Sequence, residues 1–121
     1  MTPTLSAILV LAGAQLLIAL TCLIMGYRAR AGTLERNRWF GMRLSALMHS
    51  DTAWKAGHAA IAPALIGLGW FAIPATLGIP ALALVAPQDF TVTAGVTLSL
   101  LETVVLVMWA WRAEAVARRT R

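Results

Sequence analysis

Residues 5–27 read LSAILVLAGAQLLIALTCLIMGY and contain no charged side chain. A helix needs about 20 predominantly apolar residues to cross the hydrocarbon core of a bilayer, so this run predicts a transmembrane helix. A basic segment does not precede it, and Arg28-Ala29-Arg30 follows where a signal peptide needs a small-residue cleavage site. We therefore expect an uncleaved membrane anchor.

The rest of the chain has the same character. Its 121 residues are 60% apolar and 12% charged, with a mean hydropathy of +0.76. Soluble domains carry about 25% charged residues, so this chain lacks the charge to cover a water-facing surface. The composition excludes a soluble protein, and the length allows a single membrane domain over residues 1–121.

Two further spans follow from the spacing of charges. Residues 91–111 contain one charged side chain, and residues 52–86 are long enough for one crossing but too short for two. We predict an all-α transmembrane bundle of three spans, at about 5–27, 52–76 and 91–111. Pro74, Gly78 and Pro80 interrupt the chain after the second span, so residues 77–90 are predicted as an outer segment. They form either a bent extension or a separate surface piece; the alternative is one long, kinked helix that reaches Val85.

The basic residues fall in two clusters that flank the spans. Their members are Arg28, Arg30, Arg36, Arg38, Arg43 and Lys55, then Arg112, Arg118, Arg119 and Arg121. Basic residues collect on the cytoplasmic side of membrane proteins. This predicts a cytoplasmic loop at 28–51, a cytoplasmic tail at 112–121 and an outside N-terminus. Anionic lipid headgroups are the expected contacts of these residues, and nucleic acid is excluded as a partner because no binding motif accompanies the charge.

Two polar side chains lie inside the predicted membrane. Gln15 is ten residues into the first span and Glu102 eleven into the third. The two spans run in the same direction, so both residues reach a similar depth and a hydrogen bond between them is expected. Burial disfavours a charged carboxylate, and we expect Glu102 to be neutral. The pair either joins the helices only or handles protons or ions.

The first loop is amphipathic. Trp39, Phe40, Leu44, Leu47 and Met48 recur at helical spacing, opposite two arginines. This pattern predicts a short segment that lies on the inner membrane surface. The tryptophans at 39, 54, 109 and 111 are expected to anchor the chain at the inner headgroup level.

Residues 36–60 read RNRWFGMRLSALMHSDTAWKAGHAA. The candidate site residues of this stretch are Asn37, Gly41, Arg43, Ser50, Trp54 and His58. Their spacing resembles that of the SdpI family of bacterial membrane proteins, in which a loop similar to N-x-x-x-G-x-R-T precedes a helix that opens with S-x-x-x-W-x-x-x-H. The threonine that commonly follows the arginine is Leu44 here.

The resemblance implies a multi-pass protein of the bacterial plasma (inner) membrane. The name-giving member of the family protects a bacterium from its own secreted peptide toxin, and it relays a signal by holding a repressor at the membrane. For this chain the resemblance implies toxin immunity or membrane signalling, with the motif residues serving to bind a peptide or protein partner. Taken individually, Gly41 permits a turn, Ser50 caps a helix, and His58 packs near the loop or Asp51.

Catalytic residues, cofactors and metal ligands are not expected. The motif holds no arrangement of nucleophile, base and orienting group, and the one cysteine has no metal-ligand spacing with histidine. Two other functions fit the sequence. Small residues along the spans suit homo- or hetero-oligomers, as in an accessory subunit of a larger complex. Alternatively, an oligomeric carrier would be built around Glu102.

Overall fold

The computed structural model describes residues 2–120, which form three long helices. These are α1 (Pro3–Arg30), α2 (Asp51–Leu82) and α3 (Gln88–Arg119), with one 3-10 turn at Leu47–His49 between α1 and α2. All three helices are long and apolar enough to cross a membrane. The predicted all-α class with three membrane-spanning helices is confirmed.

The helix ends follow from local sequence. At the start of α1, Pro3 occupies the first turn, where its missing N–H costs nothing, and the Thr2 side chain accepts a hydrogen bond from the Leu5 N–H at 3.1 Å. At the start of α2, Ser50 Oγ accepts from the Ala53 N–H at 3.0 Å, which is the cap expected from the sequence.

The second helix is longer than one crossing requires. Its 32 residues correspond to about 48 Å at 1.5 Å per residue, against a hydrocarbon core of about 30 Å. Pro63, Pro74 and Pro80 all lie within it. Residues 77–82 therefore continue α2, and the separate outer piece does not form. The alternative of one long helix comes closest, although the helix ends at Leu82 before reaching Val85.

The three helices pack unequally. The α1–α2 interface is the most extensive, α3 packs mainly on α2, and α1 and α3 meet least. Of the apolar window of each helix, 33% is buried inside the protein in α1 but 17% in α3. Many large apolar side chains therefore face outward, as expected for helices surrounded by lipid.

The connection between α1 and α2, residues 31–50, is called the motif loop below. Apart from the turn at Leu47–His49 it has no helical structure, so the helical spacing of its apolar residues does not produce a helix. Leu34, Ala46 and Leu47 are instead buried against α2 and α3, while Trp39 is 92% exposed. The loop folds over the helix ends, so that one side of it is buried in the core and the other is exposed. We call this side of the bundle the loop end.

Candidate functional site

Trp54 and His58 form the centre of the candidate site. They lie one turn apart on α2, near its start, and neither exposes any surface. Their ring centroids are 4.2 Å apart with the planes tilted by 38°. Trp54 was expected to face the headgroups, and this prediction is wrong, because the motif loop covers the indole and makes it part of the core.

Both side chains hold the motif loop through its main chain. Trp54 Nε1 donates to the Leu34 carbonyl at 2.9 Å, and His58 Nε2 accepts from the Met42 N–H at 2.9 Å. His58 Nδ1 lies 2.9 Å from the Trp54 carbonyl. A nitrogen that accepts from an N–H carries no proton, so the proton of the neutral ring belongs on Nδ1, which donates to Trp54. Of the two neighbours expected for His58, the loop and Asp51, the structure shows a hydrogen bond to the loop.

Gly41 allows the loop to approach this pair. Its φ of +113° lies in the region that L side chains rarely adopt. A Cβ at this position would lie 2.6 Å from the Trp54 ring and 3.1 Å from His58 Nε2. Glycine is therefore needed here for conformation and for space.

Asn37 closes a turn inside the loop. Its Oδ1 accepts from the N–H groups of Trp39 and Phe40 at 2.8 and 2.7 Å. Its Nδ2 donates to the carbonyls of Glu35 and Phe40, both at 2.9 Å. An asparagine side chain has two donors and two acceptor lone pairs, and all of them are used within the loop.

Two exposed arginines donate hydrogen bonds to main-chain carbonyls of the loop. Arg43 Nη1 donates to the Arg38 carbonyl at 2.9 Å. Arg36 Nη1 donates to the Met48 carbonyl at 2.7 Å, and Arg36 Nε lies 3.0 Å from Asp51 Oδ1. These side chains are exposed, so Arg43 lies outside the buried Trp54–His58 pair although it follows Met42, whose N–H contacts His58.

Glu114 on α3 completes the site, and sequence reasoning missed it. Both of its carboxylate oxygens accept from the Ala46 N–H, at 3.2 and 3.0 Å, and Arg118 Nη2 lies 3.3 Å from Oε1. The Glu114 side chain is 14% exposed. The available signal was the spacing of Glu114 and Arg118, four residues apart in an otherwise basic tail. The contact with the loop had no sequence signal, because a main-chain group is the partner.

The intramembrane pair lies away from the loop. Gln15 Nε2 donates to Glu102 Oε2 at 2.7 Å and to Ser99 Oγ at 3.2 Å. Gln15 is fully buried and Glu102 is 2% exposed. The structure thus brings together the two residues that were expected to meet across α1 and α3.

An apolar cavity of about 380 Å³ separates α1 from α3 on the loop side of this pair. Leu65 of α2 and Met42 of the motif loop contribute to its wall, and the rest is lined by Leu17, Ile18, Thr21, Cys22, Met25, Thr103, Leu106, Val107 and Ala110. Within residues 2–120, no group of three or more His, Cys, Asp or Glu side chains lies close enough to hold a metal ion.

The fold and site together define a small three-helix membrane protein whose first loop is fastened to the second and third helices by buried side chains. The SdpI/YfhL protein family matches residues 33–111, from the motif loop to α3. This match covers more than half of the chain, and the chain belongs to that family. The resemblance expected from the motif is confirmed, and the family is not known as an enzyme family. Comparison with curated proteins and with solved structures gave no significant match.

Proposed function

We propose that this chain is a non-enzymatic membrane protein of the SdpI type, which binds a peptide or protein partner through its motif loop in toxin immunity or membrane signalling. One observation carries the proposal. The polar side-chain atoms of Asn37, Trp54 and His58 are all bonded inside the protein, so these residues fix the loop and leave its other side chains free to bind.

The exposed side of the loop has the chemistry of a binding surface. Trp39 is 92% exposed, Arg38 precedes it, and Arg43 lies four residues further along the loop; both arginine side chains are exposed. Tryptophan and arginine are the residues that most often dominate binding energy at interfaces. A loop that is already ordered loses little conformational entropy on binding, which favours affinity. Acidic and aromatic groups on the partner would complement this surface.

A role without catalysis is supported by the occupancy of the reactive groups. Both ring nitrogens of His58 are engaged by main-chain groups, and Ser50 Oγ is engaged as a helix cap. His58 is fully buried, so its ring is not exposed to a substrate with which it could exchange a proton.

The proposed location is the bacterial plasma membrane, with the loop end in the cytoplasm and the N-terminus outside. The basic residues at the loop end support this orientation. Single cysteines introduced in a Cys22→Ala background test it, with Ser45→Cys at the loop end and Pro87→Cys in the opposite turn. A membrane-impermeant maleimide should label Pro87→Cys on intact spheroplasts and Ser45→Cys only after lysis. The reverse pattern would contradict the orientation.

The binding role is tested with surface variants of the loop in the bacterium that produces the protein. Trp39→Ala and Arg38→Ala should abolish the protective or transcriptional phenotype of the wild-type gene while the protein stays at its normal level in the membrane. Arg119→Ala is the matched control, because it removes an exposed arginine outside the loop. Glu102→Gln should also retain the phenotype. If Glu102→Gln abolishes it and the loop variants do not, the carrier alternative is favoured.

Assembly with other chains is a second candidate, supported by the small buried share of α3. Only 17% of its apolar window packs inside the protein, half the value for α1, so α3 has the largest free apolar flank. Purification in mild detergent distinguishes the two. An accessory subunit should co-purify with other chains at fixed stoichiometry, whereas a loop-binding protein should lose its partner in the Trp39→Ala variant.

A further inference from the structure

The pair that joins α1 to α3 leaves two buried atoms without a hydrogen-bond partner. Among the described residues, the buried side-chain atoms in this state are Gln15 Oε1 and Glu102 Oε1. They belong to the two planar groups that are already joined through Gln15 Nε2 and Glu102 Oε2. Each unpartnered oxygen is bonded to the same carbon as the atom that makes the contact.

The orientation of the Gln15 amide is set by its neighbours. Its Nε2 donates to Glu102 Oε2 and to Ser99 Oγ, so both amide hydrogens are used. Ser99 Oγ in turn donates to the Gly95 carbonyl at 3.0 Å, which leaves a lone pair for the amide. Gln15 Oε1 therefore needs a donor, and the ionised carboxylate beside it can only accept.

We propose that Glu102 is a buried proton-binding site and that it pairs with Gln15 as a neutral carboxylic acid. The carboxylate takes up one proton from water on Oε1, its charge falls from minus one to zero, and the new O–H donates to Gln15 Oε1. One proton then satisfies both unpartnered atoms and closes a pair of antiparallel hydrogen bonds. A buried ionised carboxylate with no counter-charge is costly, whereas the neutral acid with two bonds is not.

Within residues 2–120, Glu102 takes part in no ion pair that would compensate the charge. The titratable side chain of α1 that faces Glu102 is the Cys22 thiol, which is buried and adds no positive charge. The titratable side chains of α2 are Asp51, Lys55 and His58, which all lie in its first eight residues at the loop end, and both nitrogens of His58 are bonded there. On α3, residues 90–111 carry no other charged side chain.

The proton also determines how α1 is held to α3. These two helices meet least of the three, and the apolar cavity separates them immediately on the loop side of the pair. In the ionised state, Glu102 Oε1 and Gln15 Oε1 are both acceptors and would repel one another. Few other contacts between α1 and α3 would oppose this repulsion. Release of the proton would therefore loosen α1 from α3 and widen the cavity. This site is independent of the role proposed for the loop.

Infrared difference spectroscopy on the full chain in lipid vesicles at pH 7 tests the proposal. The spectrum of the wild type minus that of Glu102→Gln should contain the carbonyl stretch of a protonated carboxyl group, and the band should shift to lower frequency in D₂O. The Gln15→Leu variant should keep the band but shift it to higher frequency, because the carbonyl loses its donor. Glu114→Gln is the matched control and should leave the protonated-carboxyl band unchanged.

A second measurement needs no variant. Dicyclohexylcarbodiimide, which reacts with protonated carboxyl groups in apolar surroundings, should modify Glu102 in the wild-type chain as detected by mass spectrometry. Three outcomes would overturn the proposal. The first is that neither the protonated-carboxyl band nor the modification is found at pH 7. The second is that Gln15→Leu does not shift the band. The third is that the band disappears when sodium or potassium chloride is added, which would indicate a metal-cation site.

Discussion

His58 Nε2 on α2 accepts a hydrogen bond from the main-chain N–H of Met42 in the motif loop, at 2.9 Å and across 16 residues of sequence. This bond holds the loop against the helix that follows it. Because the acceptor is a ring nitrogen and the donor is a main-chain group, the bond depends on the histidine but not on the type of residue at position 42. His58 is therefore a positioning residue for the loop.

Replacing His58 with alanine should release this part of the loop. The Met42 N–H loses its partner and the Trp54 ring loses its neighbour, so the free energy of unfolding should fall by about 1–3 kcal/mol. Thermal unfolding in mild detergent and the rate of proteolysis within residues 31–50 measure the effect. His49→Ala is the control, because His49 is exposed and its replacement should change stability by less than about 0.5 kcal/mol. Equal effects of the two variants would contradict the role of His58.

Gly41→Ala should be more damaging than its size suggests. Its φ of +113° is strained for alanine, and the added Cβ would lie 2.6 Å from the Trp54 ring. Strain and overpacking together should lower the free energy of unfolding by more than about 2 kcal/mol.

Gly32→Ala separates these two causes. Gly32 also has a positive φ, of +73°, but no atom lies within 4 Å of its added Cβ. Its replacement should cost about 1–2 kcal/mol from backbone strain alone. Chemical denaturation of both variants in the same detergent gives the comparison. If Gly32→Ala is as destabilised as Gly41→Ala, the close approach to Trp54 contributes nothing.

Sequence could predict the features that depend on the type and position of side chains along a helix. Runs with at most one charged side chain predict the three helices, because the cost of charge in lipid leaves a clear pattern. The contact of Gln15 with Glu102 followed from equal depth on two parallel spans. Ser50 followed from the preference of serine for the first position before a helix.

The loop could not be predicted in the same way. Most of its side-chain hydrogen bonds end on main-chain groups, for example Trp54 on Leu34 and Glu114 on Ala46. Main-chain groups carry no sequence signal, and their positions depend on irregular backbone angles such as that of Gly41. The end of α2 at Leu82 was also left open by the sequence, between an extension of the helix beyond residue 76 and a separate piece. Proline removes one helical hydrogen bond, but in a membrane the lack of other partners keeps the helix intact around it.

Glu114→Ala should detach α3 from the loop. The Ala46 N–H would lose an ionised acceptor, and bonds to charged groups contribute about 1.5–3 kcal/mol. The expected result is a matching fall in stability, together with faster proteolysis of the loop. Arg118→Ala is the control. It removes an exposed ion pair at 3.3 Å that should contribute less than about 1 kcal/mol. A larger effect at Arg118 than at Glu114 would mean that the ion pair, and not the bond to Ala46, holds this corner.

Gly26→Ala should weaken the main helix interface. A Cβ at Gly26 would lie 2.7 Å from Ile66 Cγ1 and 3.0 Å from the Ile66 main-chain nitrogen. The Ile66 side chain can move, but its backbone is part of α2 and cannot, so the two helices must separate. Overpacking of this kind costs about 1–3 kcal/mol. The effect should appear as a lower unfolding temperature in detergent.

Gly13→Ala is the matched control for this interface, since it lies on the same helix with no atom within 4 Å of its added Cβ. Alanine is favoured over glycine inside helices by about 0.5–1 kcal/mol, so this variant should be as stable as the wild type or more so. Opposite signs for the two variants are therefore expected from the same chemical change. If Gly26→Ala also raises the unfolding temperature, α1 and α2 do not approach one another at this position as closely as the structure shows, and the tight α1–α2 contact is wrong.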